Sequence, residues 1–526
     1  MSDRRRGDAP GLSTTVAHRS GFARLLRAEW TKFRTVRGWV LAMAAAALVT
    51  VLLGLLSASG SHTSCGGACP AVPVGPGGEA VEDKFYFVHR PLNGDGSITV
   101  RVTSMTGQIR LPDLTPTPTP GTRRVVSGLV PWAKAGVMIK ESMKQGSTYA
   151  AVMVTGAHGV RMQHDFTQDV AGRPGGVSQR SPRWLRLTRS GEDLTGYEST
   201  DGRQWTRVGT AHLAGLPDAV QVGLFAASPG DLTVTPGDFG GSSAASRFAE
   251  ATAVFDQVSL EGSVADGVWR PDDVGVTLDP DGSAHHPGGF KESGDTYTVA
   301  GVGDIAPLSD GPQIENTLTG LLTGLIVVIV VAVMFITTEY RRGLIRTTLL
   351  AGPRRGRTLV AKALAIGAVT FVTGLAAATA AVTLGKGILV ANGNYVLPVA
   401  PFTELRVIAG TAALLAAAAV LALAVGTLFR RSVAAVITAI VLIVVPYILA
   451  TASVLPAGAA QWLMRLTPAA GFAIQQSIPA YAHVLGNYTP SGGYYPLAPW
   501  AGLAVLCGYA VLALGLAVFQ LRRRDA

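Results

Sequence analysis

The sequence predicts a polytopic α-helical membrane protein with six spans and a large all-β sandwich inserted after the first. Three observations carry this. Of 526 residues, 48% are hydrophobic and only 15% charged, where soluble domains hold about 25% charge. Six uninterrupted apolar runs reach the ~20 residues needed to cross ~30 Å of hydrocarbon. Between residues 59 and 315 the chain changes to Gly, Pro, Thr and short alternating stretches.

Residues 1–38 precede the first run. In "FARLLRAEWTKFRTVRGW", Phe22, Leu25, Leu26, Trp30, Phe33 and Val36 recur at i, i+3/i+4 and define an apolar stripe, with Arg24, Arg27 and Arg34 opposite. This is the pattern of a helix lying in the membrane interface. Glu29 falls inside the stripe, where a charge is costly unless paired. Two partners are available to it: Lys32 one turn on, or an arginine of the 341–346 segment.

The spans follow at 39–58, 316–338, 359–383, 407–428, 432–454 and 498–521. The first has a long N-terminal lead and no cleavage context, so it reads as a span rather than a signal peptide. Away from their ends the runs carry no Asp, Glu, His or Lys, which argues against proton relays and embedded catalysis. Orientation comes from charge. Residues 1–38 hold nine Lys or Arg against three acids, the 339–362 stretch seven against one, and the 522–526 tail three against one; Arg430 and Arg431 add two. Residues 59–315 hold 20 basic and 28 acidic residues. The pI of about 9.7 therefore records the positive-inside rule, not a nucleic-acid footprint. Both termini are expected in the cytoplasm of a bacterial cell, with 59–315 outside.

Within 59–315, "SITVRVTSM", "AGVMIKESM" and "YAAVMVTG" read as strands. "RWLRLTRSGEDLTGYESTDGRQWTRVG" reads as hairpins turning at Ser190-Gly191 and Asp201-Gly202. Many short strands with turns every 8–12 residues indicate a sandwich or barrel. "GDGSITVRVTSM", "PWAKAGVMIKESM", the 183–209 hairpins and "FDQVSL" resemble concanavalin A-like jelly-roll modules over about 84–260. The segment 288–307, "GGFKESGDTYTVAGVGDIAP", is a candidate closing strand that would bring both domain ends near the membrane. Glycosidase chemistry needs two carboxylates flanking the sugar; Glu192-Asp193 lie in a turn, and Glu141 and Glu198 stand alone. Trp132, Trp184 and Trp205 are candidate platforms for cell-wall glycan. Cys65 and Cys69, in "SCGGACP" just outside the first span, are a candidate disulfide in an oxidising environment. No metal site is expected, since His285-His286 lack a third ligand nearby.

The cytoplasmic stretch 339–358 is the expected coupling loop. Glu339 ends the second span, Arg341, Arg342, Gly343 and Arg346 follow, and Leu344, Thr348 and Leu349 share one face of a short helix. "LLRAEWTKFRT", "TTEYRRGLIRTTL", "PRRGRTLVAKAL" and "LTPAAGFAIQQSIP…YYPLAPW" resemble the permease subunit of a type-2 ABC exporter. The resemblance implies a transport subunit that is no enzyme itself, working with a second permease copy or paralogue and a separate ATPase that binds ATP and magnesium. Glu339, Arg341, Arg342, Gly343 and Arg346 are the expected coupling and ATPase-docking residues, and Glu29, Trp30, Lys32 and Phe33 belong to the expected interfacial helix. The resemblance also implies an outer re-entrant gate at 456–497. The large outer domain departs from the family pattern. "TLGKGIL" at 383–389 has Gly where a phosphate loop needs Ser or Thr, so this chain carries no nucleotide site. The competing reading is a membrane-anchored surface protein whose sandwich binds glycan; one or two spans would suffice for that.

Overall fold

A computed structural model of the chain describes residues 22–64, 71–111, 124–236, 242–264, 267–275, 277–278, 284–285, 288–341, 355–452 and 454–524. Among these, six helices are long and apolar enough to cross a membrane. Helix α1 (Phe22–Thr35) ends where Val36 adopts an extended conformation, and the chain turns there into α2 (Arg37–Gly60). Then come α3 (Leu321–Arg341), α4 (Arg355–Ala391), α5 (Pro401–Phe429), α6 (Ser432–Thr451), a short α7 (Ala457–Leu466) and α8 (Pro499–Arg524).

The helix ends differ from the apolar runs. Residues 314–318 form a 3₁₀ turn and α3 begins only at Leu321. Helix α4 has 37 residues, or about 55 Å at 1.5 Å per residue, so it outruns the ~30 Å of hydrocarbon. Its extra turns take in Arg357 and Lys386, while α5 takes in Glu404 and Arg406. The apolar runs alone therefore understate how much charge these helices carry.

Helix α5 is the most buried of the six and packs against α3, α4 and α8. Its Ala-rich sequence, "GTAALLAAAAVLALAVG", lets neighbouring backbones close in. Helices α2 and α3 meet as tightly: a Cβ on Gly324 would lie 2.0 Å from Thr50 Oγ1.

The β segment is a 14-stranded antiparallel sheet folded over itself around one strand of 26 residues, Phe85–Arg110. The first half of that strand pairs with Ala219–Ala227 and Arg270–Val274. Its second half pairs with Arg183–Ser190 and Ala249–Val264. Two layers result, and Val100, Val137, Ile139, Val152, Leu187, Val222 and Phe255 fill the space between them. The hairpins turn at Gly191 and Gly202, both with positive φ. Gly289–Ser293 and Thr296–Gly301 form a hairpin on the edge of Ala249–Val264. Ile305–Pro307 pairs with Val81–Asp83, so the two ends of the β segment leave side by side.

Strand Lys134–Lys140 is buried on both faces. One face joins the interlayer core. The other lies beneath Val81, Phe85, Phe166 and Ile305, in the layer that leads to the helices. On that side Lys134 Nζ donates to Asp304 Oδ1 at 2.5 Å, and Lys140 Nζ to Asp83 Oδ2 at 2.8 Å. Glu82, next to Asp83 in the same strand, has its carboxyl pushed up to about 7 by burial and by the Asp304 charge. An acid whose folded pKa is raised binds more protons folded than unfolded, so its contribution favours folding at low pH and fades as pH climbs from the model-peptide value toward 7. Melting of the β segment at pH 5 relative to pH 8 is expected to shift upward in the native chain. The shift should shrink in Glu82→Gln; an identical shift in both removes Glu82 as its source.

Candidate functional site: a buried charge cluster and a cavity at opposite ends of the bundle

Helix α1 presents Leu25, Leu26, Glu29 and Phe33 toward the bundle and leaves Phe22, Trp30 and Val36 exposed. The predicted apolar stripe thus splits between a protein-facing and an outward half. Glu29 is 6% exposed, and its partner is Lys362 on α4. Lys362 Nζ donates to Glu29 Oε1 and Oε2, each at 2.7 Å, and to Glu339 Oε1 at 2.6 Å. Lys32 pairs with Glu339 rather than with its neighbour Glu29. Two acids and two lysines form a neutral cluster under an aromatic cover. Lys362 and Lys32 lie 5.5 and 5.9 Å from the Phe335 ring centroid, within cation–π range. Phe33 and Trp39 pack against the same ring.

The local reasons are simple. Glu339 sits on the last turn of α3 and Lys362 on the second turn of α4, so antiparallel helices set them at one level. Burial and the Lys362 charge lower the Lys32 ammonium to about 8. The site therefore ties three elements together: α1 and the two helices that flank residues 342–354.

Placement of the predicted residues is mixed. Glu29, Lys32, Phe33 and Glu339 converge; Trp30 stays exposed on the outward side of α1. Arg341 closes α3, while Arg342, Gly343, Arg346 and the Leu344–Leu349 face lie outside the described residues, as do Cys65 and Cys69. Trp132 is no open platform: it is 6% exposed, stacked on His158 at 4.0 Å and edge-on to His483 of the 476–488 segment. It packs where the β segment meets that segment, and His483 Nε2 lies 2.8 Å from the Phe166 carbonyl there. Trp184 and Trp205 are half-buried with Arg101 and Arg186 over their rings. Lys362 was missed by the sequence reading because it counts as one more basic residue at a span end. Its signal was a lone lysine inside an apolar helix, facing the only acid at the end of the previous one.

The other end of the bundle holds a cavity of about 560 Å³. The 3₁₀ turn 314–318 and α3 form one wall, α6 another, and Pro468–Gln475 a third. Above it sit the 485–495 segment and two residues of a separate hairpin, Asp231–Pro236 with Ser242–Arg247, namely Leu232 and Ala244. Glu315 Oε1 accepts the Ser477 N–H at 2.8 Å, and burial raises its carboxyl above the usual range. Arg406 donates to the carbonyls of Ile474 and Gln476 at 3.2 and 2.8 Å, fixing the turn that holds Gln475 against Thr411. Tyr447 stacks on Phe472 at 3.9 Å. Among the described residues no group of three or more His, Cys, Asp or Glu is placed to hold a metal.

Comparison with solved structures finds slight likenesses. Scytalido-glutamic peptidase with a transition state analog inhibitor is similar over 44% of this chain and all of that one, at 8% identity and TM-score 0.26. A functionally unknown protein from Saccharomyces cerevisiae covers 35% of this chain and 76% of its own, at 16% identity and TM-score 0.21. A GH43 protein from Bacillus licheniformis covers 25% and 24%, at 14% identity and TM-score 0.17. No curated protein matches the chain. The description ABC-2 family transporter protein matches residues 148–526, a stretch that includes five of the six long apolar helices. With that match over most of its length, this multi-pass membrane protein belongs to the ABC-2 family of transporter proteins, as a permease.

Proposed function

We propose that the chain is the membrane subunit of an ATP-driven exporter, forming the translocation pathway and coupled through 339–358 to a separate ATPase. The observation that carries this reading is the shared cation. Lys362 holds Glu29 of α1 and Glu339 of α3 at once, which ties α1 to the two helices that flank residues 342–354. A push on that loop from a soluble partner would reach α3 and α4 without loss in a flexible joint. The charge asymmetry of the sequence supports placing this end, with both termini, in the cytoplasm and the β segment outside.

In this reading the β segment is a jelly-roll sandwich of the concanavalin A-like kind, closed by 288–307. Residues 456–497 serve as the outer gate, a Cys65–Cys69 bridge braces the exit from α2, and a second permease completes the pathway. The partner ATPase supplies ATP and magnesium chemistry. Glycan binding by Trp184 and Trp205 remains the alternative role for the β segment, and surface anchoring the alternative role for the helices.

The test is co-purification in detergent with mass spectrometry of the bound ATPase, followed by a coupled ATPase assay. Arg341, Arg342 and Arg346 replaced together by Gln should leave insertion intact, because the remaining basic residues still bias topology, and should lower transport-stimulated hydrolysis. Unchanged stimulation would reduce those arginines to topology signals.

A further inference from the structure

We propose that the cavity beneath the β hairpin binds a lipophilic organic cation, its ammonium or delocalised positive charge held by Glu315 and its apolar body against the α3 wall. This rests on the permease reading for what becomes of the bound molecule, though not for the binding itself. Four observations carry it.

The first is sign of charge. Among the described residues the cavity walls include two acids, Asp310 and Glu315, and no Lys, Arg or His. The second is a carboxylate without a charged hydrogen-bond partner among the described residues. Glu315 Oε1 takes the Ser477 N–H, and the Ser477 side chain also bears on this carboxyl. A buried carboxylate in that state is costly unless a donor or cation arrives. Arg406, whose charge reaches Glu315, is committed to the 474 and 476 carbonyls instead.

The third is the aromatic lining. Tyr447, Phe472, Tyr494 and Tyr495 all border the cavity, and ring faces attract organic cations most strongly when desolvated. The fourth is size and polarity. About 560 Å³ falls within the 300–1,000 Å³ usual for small-molecule sites, and Leu318, Leu321 and Leu322 give the wall at the start of α3 an apolar surface. An anionic ligand would meet two acids and no cation among the described lining residues, so the cavity selects against it.

The experiment uses the full-length chain in nanodiscs of zwitterionic phosphatidylcholine, which add no net charge of their own. Rhodamine 6G is the cationic probe and fluorescein the anionic control, both followed by fluorescence anisotropy. Saturable rhodamine 6G binding is expected, with none for fluorescein. Glu315→Gln should weaken it by about tenfold or more, the loss of one charged buried contact. Asp310→Asn, at the exposed rim, should weaken it by about threefold. Thr451→Trp, which fills the cavity from α6, should abolish saturation. If Glu315→Gln does not fold, the Asp310→Asn and Thr451→Trp arms decide. Rhodamine 6G binding that survives both Thr451→Trp and the acid replacements, or equal binding of fluorescein, overturns the inference. Capture of an ATPase by the same preparation is scored separately, so this inference can fail while the permease reading stands.

Discussion

Lys362→Met is expected to destabilise the helical bundle by roughly 3–5 kcal/mol, the range for removing one partner of a buried ion pair, and to abolish coupled ATPase stimulation. Without Lys362, Glu29 and Glu339 remain buried at one level with Lys32 as their described cation. Methionine preserves most of the volume, so the loss reports charge rather than a cavity. The partners make the prediction sharper. Glu29→Gln leaves Lys362 its contact with Glu339 and should be milder. The double change Glu29→Gln/Lys362→Met restores neutrality and should recover part of the stability, a coupling visible in a double-mutant cycle. Coupling should stay low in the double variant, because α1 is no longer tied to α4. Additive single and double effects on melting, or full ATPase stimulation in Lys362→Met, would remove the cluster from the mechanism.

The second large effect is expected in the β segment. Lys140 and Asp83 are both fully buried, and Asp83 Oδ2 accepts from Lys140 Nζ and from the Gly146 N–H. Lys140→Met leaves that carboxylate with a single neutral donor in an apolar layer of Phe85, Tyr149 and Phe166. A loss of roughly 3–5 kcal/mol should follow, seen as a lower melting midpoint. Cleavage should also quicken near residues 81–83 and 305–307, where the segment's two ends pair. Asp83→Leu/Lys140→Met, which removes both charges, should be much closer to the native chain, since apolar replacement of a buried pair is often neutral. A double variant as unstable as the single one would show that the pair's shape, not its charge, holds the two ends.

The β segment does not hang from a free tether. Its second face is covered by the strands that return to the helices, and His483, Tyr481 and Ile478 from between α7 and α8 join that layer. Leu232 and Ala244 of its hairpin reach the same cavity that Glu315 lines. In the exporter reading, the outer domain therefore forms part of the roof over whatever leaves the bundle.

Composition and period determined much of this protein from sequence alone. Apolar runs mark helices because no water is present in hydrocarbon to satisfy an open backbone, so the six long helices were legible without any partner. Alternation and turn residues made the β segment legible for the same local reason. The position of Glu29 in an apolar stripe also follows from a 3.6-residue period, which is why the need for a partner could be read. Which partner could not be. Lys362 is 333 residues from Glu29 along the chain, against three for Lys32, and sequence proximity favours the wrong lysine. Trp132 likewise has the composition of a binding platform and the packing of a core residue, a distinction made only by His158 and His483 closing over it. Lys140 sits in a strand whose sequence names no partner for its charge; Asp83, 57 residues earlier, lies against it. Periodicity is a property of neighbours in the chain and survives in the sequence; the pairing of buried charges and the cavity around Glu315 are set by elements distant in the chain, and only the folded bundle brings them within reach of one another.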